Sequence, residues 1–376
     1  MNRISALDGI RGLLLILMTI NHLIWMSGGQ TSLQLFTLQP FGQFGAAEGF
    51  ILISGLLAGI VYSSEKYSYP QLKEKAFARA FEIYKYHAIS LVVVIGIVVA
   101  YIHLIPATEP LWRMNMPNLI NDSVNAYFLS LLLINRPTYF DILPLYFVMM
   151  LCLPFIIMQL HKGRLWLVAS ISICLWLLSG VIEQQMLTKP LTALTPSLTV
   201  NLGYFDLFAW QLLFTAGVVL GYFQRVKPIN WFPSKTLVAI AALLVIVLFC
   251  MHQGLINIDG FHLFLFADKA NLGWLRLLNL GLFIYLLAFV IKKFPNSFNI
   301  FGVRFVGKHS LQVFAWHTVL VYLSGPTLFQ LRNEQSYVAV ILLLTSSLVI
   351  PAYLHHRYHN RAQKLKVQLT CKESYQ

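Results

Sequence analysis

The sequence predicts an all-helical, multi-pass membrane protein, and three observations carry that reading. The 376 residues are 58% apolar and only 11% charged, with a mean hydropathy of +0.69, whereas soluble domains are about a quarter charged. Ten apolar runs approach the length of roughly 20 residues that a helix needs to cross a bilayer. The 27 Lys and Arg residues are spread unevenly over the segments joining those runs. The composition excludes an ordinary soluble enzyme, a disordered chain and a fibrous protein.

The first run, 10–27, follows a basic start at Arg3 and shows no small-residue cleavage site, so it reads as a retained helix rather than a signal peptide. The second, 44–62, is rich in small residues. Its Ser54, Gly55 and Gly59 suit close helix packing better than ligand binding. A charged connection leads to 87–105. Runs at 141–160 and 165–183 are separated by a short basic turn, and 205–223, 236–252, 272–291, 309–324 and 336–354 complete the set. A weaker run, 123–135, is short and opens with polar residues.

Charge sets the orientation. With the N-terminus in the cytoplasm and 123–135 not spanning, 21 of the 27 basic residues fall on the cytoplasmic side and 6 on the other, as the positive-inside rule requires. Counting 123–135 as a span reverses every later loop and removes most of the bias. The expectation is therefore about ten transmembrane helices with both termini cytoplasmic, plus a re-entrant or surface-lying helix near 123–135 on the outer side. Such a segment is tolerated at membrane depth only where it packs on protein or lines a cavity. Residues 1–355 read as one transmembrane domain and 356–376 as a basic cytoplasmic tail. The net charge of +13 then reflects cytoplasmic loops, not nucleic-acid binding.

The carboxylates show the reverse pattern. Glu109, Asp122, Asp141, Glu183, Asp206, Asp259, Asp268 and Glu334 fall near the outer side. Charge balance explains this, and so does an outward cavity rich in acceptors for a hydroxylated ligand. Aromatic residues gather at the same ends as an interfacial belt, and rings such as Trp112, Tyr127 and Trp210 also offer faces on which sugars stack. The four cysteines form no CxxC or Cys/His cluster, so neither a disulfide framework nor a metal site is expected. His355, His356 and His359 read as a solvated basic face. No GxGxxG, GxxxxGK[ST] or GxSxG motif is present, which argues against nucleotide hydrolysis and serine acyl-enzyme chemistry.

The sharpest signal lies in the first helix. Arg11 and His22 are eleven residues apart, about three full turns, so they share one face with a rise of about 16 Å. That separation suits an extended donor with an anionic head and a reactive far end, as in coenzyme A and its thioester. Arg11 can hold a phosphate by two parallel hydrogen bonds. His22, with an ordinary pKa near neutrality, can take the proton of an incoming hydroxyl. Glu48 lies near the outer end of the second helix, where a carboxylate needs a partner, and pairing with His22 would fix the imidazole tautomer. Asp141 opens the fourth full span and suits either the outer vestibule or a helix cap. His317 lies mid-span and suits either core hydrogen bonding or catalysis.

At these residues the sequence resembles a known family. "LDGIRGLLLILMTINH" (7–22) is similar to the opening helix of membrane acyltransferases of the acyltransferase type 3 superfamily, whose signature is Arg, ten residues, then His. "AAEGFILISGLLAG" (46–59), "FDILPLYFVMMLCLPF" (140–155) and "FDLFAWQLLFTAGVVLGY" (205–222) resemble the OpgC-type branch, which succinylates osmoregulated periplasmic glucans. The resemblance implies a transferase of the bacterial inner membrane, with acyl-CoA (succinyl-CoA in that branch) as cytoplasmic donor and a periplasmic glucan as acceptor. It implies Arg11 as the CoA-side arginine and His22 as the catalytic histidine; Arg79 and Arg304 are further candidates for the CoA head among the basic residues assigned to the cytoplasmic side. Glu48 and Asp141 fall at the family's polar positions, and His317 matches a histidine in a late helix. Two alternatives stay open: an acetyltransferase for another extracytoplasmic carbohydrate, and a transporter that moves a sugar or lipid without chemistry.

Overall fold

The computed structural model describes residues 5–64, 66–195, 198–226, 232, 234–258 and 262–373, with the backbone alone for residue 184 and residues 362–373. Arg3, Asp259 and the last three residues of the tail lie outside the described residues. No β-strand occurs among the described residues. The helices, in chain order, are α1 (Ser5–Ser27), α2 (Ala46–Tyr62), α3 (Tyr69–Leu104), α4 (Glu109–Asn115), α5 (Pro117–Asn121), α6 (Ser123–Leu131), α7 (Ile142–His161), α8 (Leu165–Leu177), α9 (Lys189–Leu194), α10 (Leu207–Val226), α11 (Lys235–His252), α12 (Leu263–Phe266), α13 (Trp274–Lys293), α14 (Phe301–Lys308), α15 (Ser310–Leu331), α16 (Tyr337–Ser346) and α17 (Val349–Glu373).

Each of the ten apolar runs is helical over most of its length. Among the described residues, seven helical stretches are long and apolar enough to cross a membrane: α1, α3, α7, α10, α11, α13 and the α16–α17 stretch Tyr337–Arg361. The apolar helices α2 and α8 are shorter, at 17 and 13 residues, and α15 carries Gln312, His317 and Thr318 along its 22 residues. The weak run 123–135 yields only the nine-residue α6, about half of what a span requires. Asp122 caps α6 by accepting from the Asn125 N–H. The boundary expected at 355 falls inside α17, and His355 shares a 2.9 Å hydrogen bond with His309.

One boundary differs by more than four turns. The third apolar run begins at 87, yet α3 starts at Tyr69. A capping box at Ser68 and Gln71 and Pro70 in the first turn nucleate it. Leu72, Ala76, Ala80, Ile83, His87, Leu91, Val94 and Val98 then form one continuous buried stripe at helical spacing. The charged residues between them occupy the opposite face and hide the helix from a hydropathy reading.

The helices group into two compact units. The first comprises the chain up to Gly29 and from Phe294 onward. Here α1 packs on α14, α15 and α16, and α15 packs on α17. The approach of α14 to α1 depends on glycine. A Cβ on Gly12 would overlap the Val303 carbonyl oxygen, and one on Gly307 would overlap that of Asp8.

The second unit runs from Gln30 to Lys293. Its centre is the α2–α10 pair, with α7 and α8 against α10, α3 against α7, and α11 against α13. Both central helices carry a glycine at four-residue spacing. A Cβ on Gly55 or Gly59 would overlap the Phe214 or Val218 carbonyl oxygen, and one on Gly217 or Gly221 would overlap that of Leu52 or Leu56. Such reciprocal small-residue seams let apolar helices meet backbone to backbone where no hydrophobic force drives association. The packing role expected of Gly55 and Gly59 is what they perform.

Candidate functional site

In the first unit, α1 brings His22 against His317 of α15. His22 Nδ1 and His317 Nε2 lie 2.8 Å apart in a hydrogen bond, with ring centroids 4.9 Å apart. His317 is fully buried while His22 is half-buried, so His22 is the more accessible ring of the pair. The Trp25 ring, one turn along α1, is 5.8 Å from the His22 ring. Arg11 lies on the same helix three turns earlier. Val303, next to Arg304, touches Gly12, next to Arg11, so α14 brings a second arginine position to the Arg11 end of α1. Arg304 donates to Asn299 Oδ1 at 2.6 Å.

The remaining candidates lie in the second unit. Arg79 pairs with Glu82 at 2.7 Å. Glu48, fully buried, takes a 2.6 Å ion pair from Arg276, whose Nε also donates to the Ala267 carbonyl at 3.0 Å. The structure therefore supplies Glu48 with an arginine and His22 with a histidine. Asp141 precedes α7 but does not cap it; its Oδ1 accepts the Tyr204 N–H at 2.9 Å. Among the described residues, no group of three His, Cys, Asp or Glu side chains is placed to hold a metal ion.

Asp141 belongs to a cluster that was not singled out in the sequence. Arg136, Asp141, Glu183 and Asp206 are all buried and close enough to act on one another electrostatically. Asp206 accepts from the Gly180 and Ala209 N–H groups at 2.7 and 2.9 Å. Glu183 accepts from Leu207 N–H at 3.1 Å. Burial lowers the pKa of the Arg136 guanidinium, and the Asp141, Glu183 and Asp206 carboxylates oppose it. The excess of acids at one end of the spans was the only sequence signal of this cluster. The long-range pairings of Arg136 leave no periodic trace.

Comparison with known proteins agrees in one respect. The family model described as OpgC protein matches residues 3–360, nearly the whole chain and all the candidate residues. No curated protein and no solved structure matches.

Proposed function

The chain belongs to the OpgC family, and from that premise we propose that it is a membrane O-acyltransferase moving a succinyl group from cytoplasmic succinyl-CoA to a hydroxyl of a periplasmic glucan. The observation that carries the chemistry is the 2.8 Å hydrogen bond between His22 and His317. Of two neutral imidazoles joined this way, one donates and the other accepts. When His22 Nδ1–H donates to His317 Nε2, the basic lone pair of the His22 ring lies on Nε2. His317 then does for His22 what an orienting carboxylate does in other base–orienter pairs.

In the proposed step, His22 Nε2 removes the proton of an acceptor hydroxyl as its oxygen attacks the thioester carbonyl. The C–S bond breaks, and the departing thiolate takes the proton from the His22 imidazolium. The products are a glucan ester and free CoA. Arg11, with Arg304 on the neighbouring α14, supplies cations for the CoA phosphates at the far end of α1. The 21-to-6 distribution of basic residues supports ten spans with both termini in the cytoplasm, which puts the arginine end at the cytoplasmic face and His22 towards the acceptor.

The test supplies purified protein with isotope-labelled succinyl-CoA and periplasmic glucan, then weighs the glucan by mass spectrometry. A gain of one succinyl unit is expected. A gain only with acetyl-CoA would replace the acyl group and keep the class. No gain with either donor, from a folded protein, would overturn the enzymatic reading in favour of transport.

A further inference from the structure

The second unit holds a cavity of about 420 Å³ between the α4–α6 segment and residues 199–201, a size typical of small-molecule sites. Nothing in the proposed chemistry uses it. Arg136 lines it and is 6% exposed. Its backbone N–H is held by the Asn201 carbonyl, but its side-chain Nε and Nη1 are buried with no hydrogen-bond partner among the described residues. Buried donors are normally satisfied, so an arginine in the cavity wall with two donors lacking a partner among the described residues points to acceptors supplied by a ligand.

The rest of the lining defines those acceptors. Asn118, Asn121, Asn135 and Asn201 all contribute. Asn118 donates to Asn135 Oδ1 at 2.8 Å and to the Thr199 carbonyl at 2.9 Å, and Asn135 donates to Ser130 Oγ at 2.9 Å. These links hold the amides in place before any ligand arrives. Amides both donate and accept, as hydroxyl groups do. Tyr127 adds a half-buried ring to the wall. An anionic ligand is disfavoured, because Asp141, Glu183 and Asp206 already act on the Arg136 charge. We propose that this cavity binds an uncharged, hydroxyl-rich ligand, namely a segment of glycan, with the Arg136 guanidinium and the asparagine amides meeting sugar oxygens and Tyr127 stacking on a sugar ring. The assignment deepens the function proposed above, whose acceptor is a glucan, and it explains why a polar segment too short to span is kept between α3 and α7.

The test measures binding of a short neutral gluco-oligosaccharide to the full-length protein in lipid nanodiscs, with a carboxylated oligosaccharide of equal length for comparison. Asn121 and Asn201 are exposed, so Asn121→Ala and Asn201→Ala should fold normally, and Tyr127→Ala and Arg136→Lys complete the series. The neutral ligand should bind wild type and His22→Ala alike. Each cavity substitution should raise its Kd by roughly tenfold, the effect of removing one strong hydrogen bond or one stacked ring. Unchanged Kd across the series, no binding to wild type, or preference for the carboxylated ligand would overturn the proposal. Binding weakened by the substitutions, with no acyl transfer in any protein, would establish the site and remove the transferase reading.

Discussion

His22→Ala should lower acyl transfer by about 10²- to 10⁴-fold, the usual contribution of a positioned general base, while the thermal midpoint stays at the wild-type value. The fold should survive because His22 is half-buried and its ring leans on His317 and Trp25 rather than filling the core. Full activity in this variant would end the assignment. His317 calls for a different measurement, since in the proposed step it is a positioning residue that acts on the substrate only through His22. His317→Gln keeps an oxygen that can accept from His22 Nδ1–H, whereas His317→Phe removes the acceptor. The glutamine variant should therefore retain more kcat than the phenylalanine variant, and the pH profile of kcat should shift in the latter. With the two histidines acting as one unit in the proposed step, the double alanine variant should be no slower than His22→Ala alone. A purely structural His317 would lower protein yield in both variants and leave the pH profile of the remaining enzyme unchanged.

Glu48→Gln should destabilise the protein by about 3–5 kcal/mol, the range seen when one partner of a buried ion pair is removed. Glu48 has no exposed surface and Arg276 has 11%, with 2.6 Å between their charged atoms, so solvent screens the pair very little. Removing the carboxylate leaves a largely buried guanidinium without its counter-charge. The double variant Glu48→Gln/Arg276→Gln should recover part of the lost midpoint in thermal unfolding, because neither charge is then left alone. A Glu48→Gln protein that melts normally and loses kcat would give this residue the catalytic role that the sequence suggests for it.

The course of the chain was largely legible in the sequence because apolar length is a local property. The ten runs are helical, and the polar residues of 123–135 marked the segment that forms only α6. The α3 extension escaped because its buried stripe is interleaved with charge, so mean hydropathy averages the two faces away. At the site, Arg11 and His22 could be placed together because one helix carries both. His317 was recognisable as a mid-span polar residue, but its partner lies 295 positions away. Glu48 was paired with His22 on the rule that a buried carboxylate needs a partner. The structure shows an ion pair from Arg276 to Glu48, and Arg276 is a cation that the charge distribution had assigned to the outer side. Arg136 fell in the same group. Membership of a loop says nothing of burial once the loop folds back into the protein.

The four-glycine seam between α2 and α10 also bears on how the protein is handled outside a bilayer. Backbones that meet this closely leave no gap for a detergent tail to enter. By contrast, only 11% and 17% of the most apolar windows of α11 and α13 are buried, so their outer faces are solvated by lipid chains. Extraction into short-chain detergent will therefore loosen α11 and α13 first and leave the glycine pair intact. Retained native lipid, rather than further tightening of the core, is what a stable preparation of this enzyme needs.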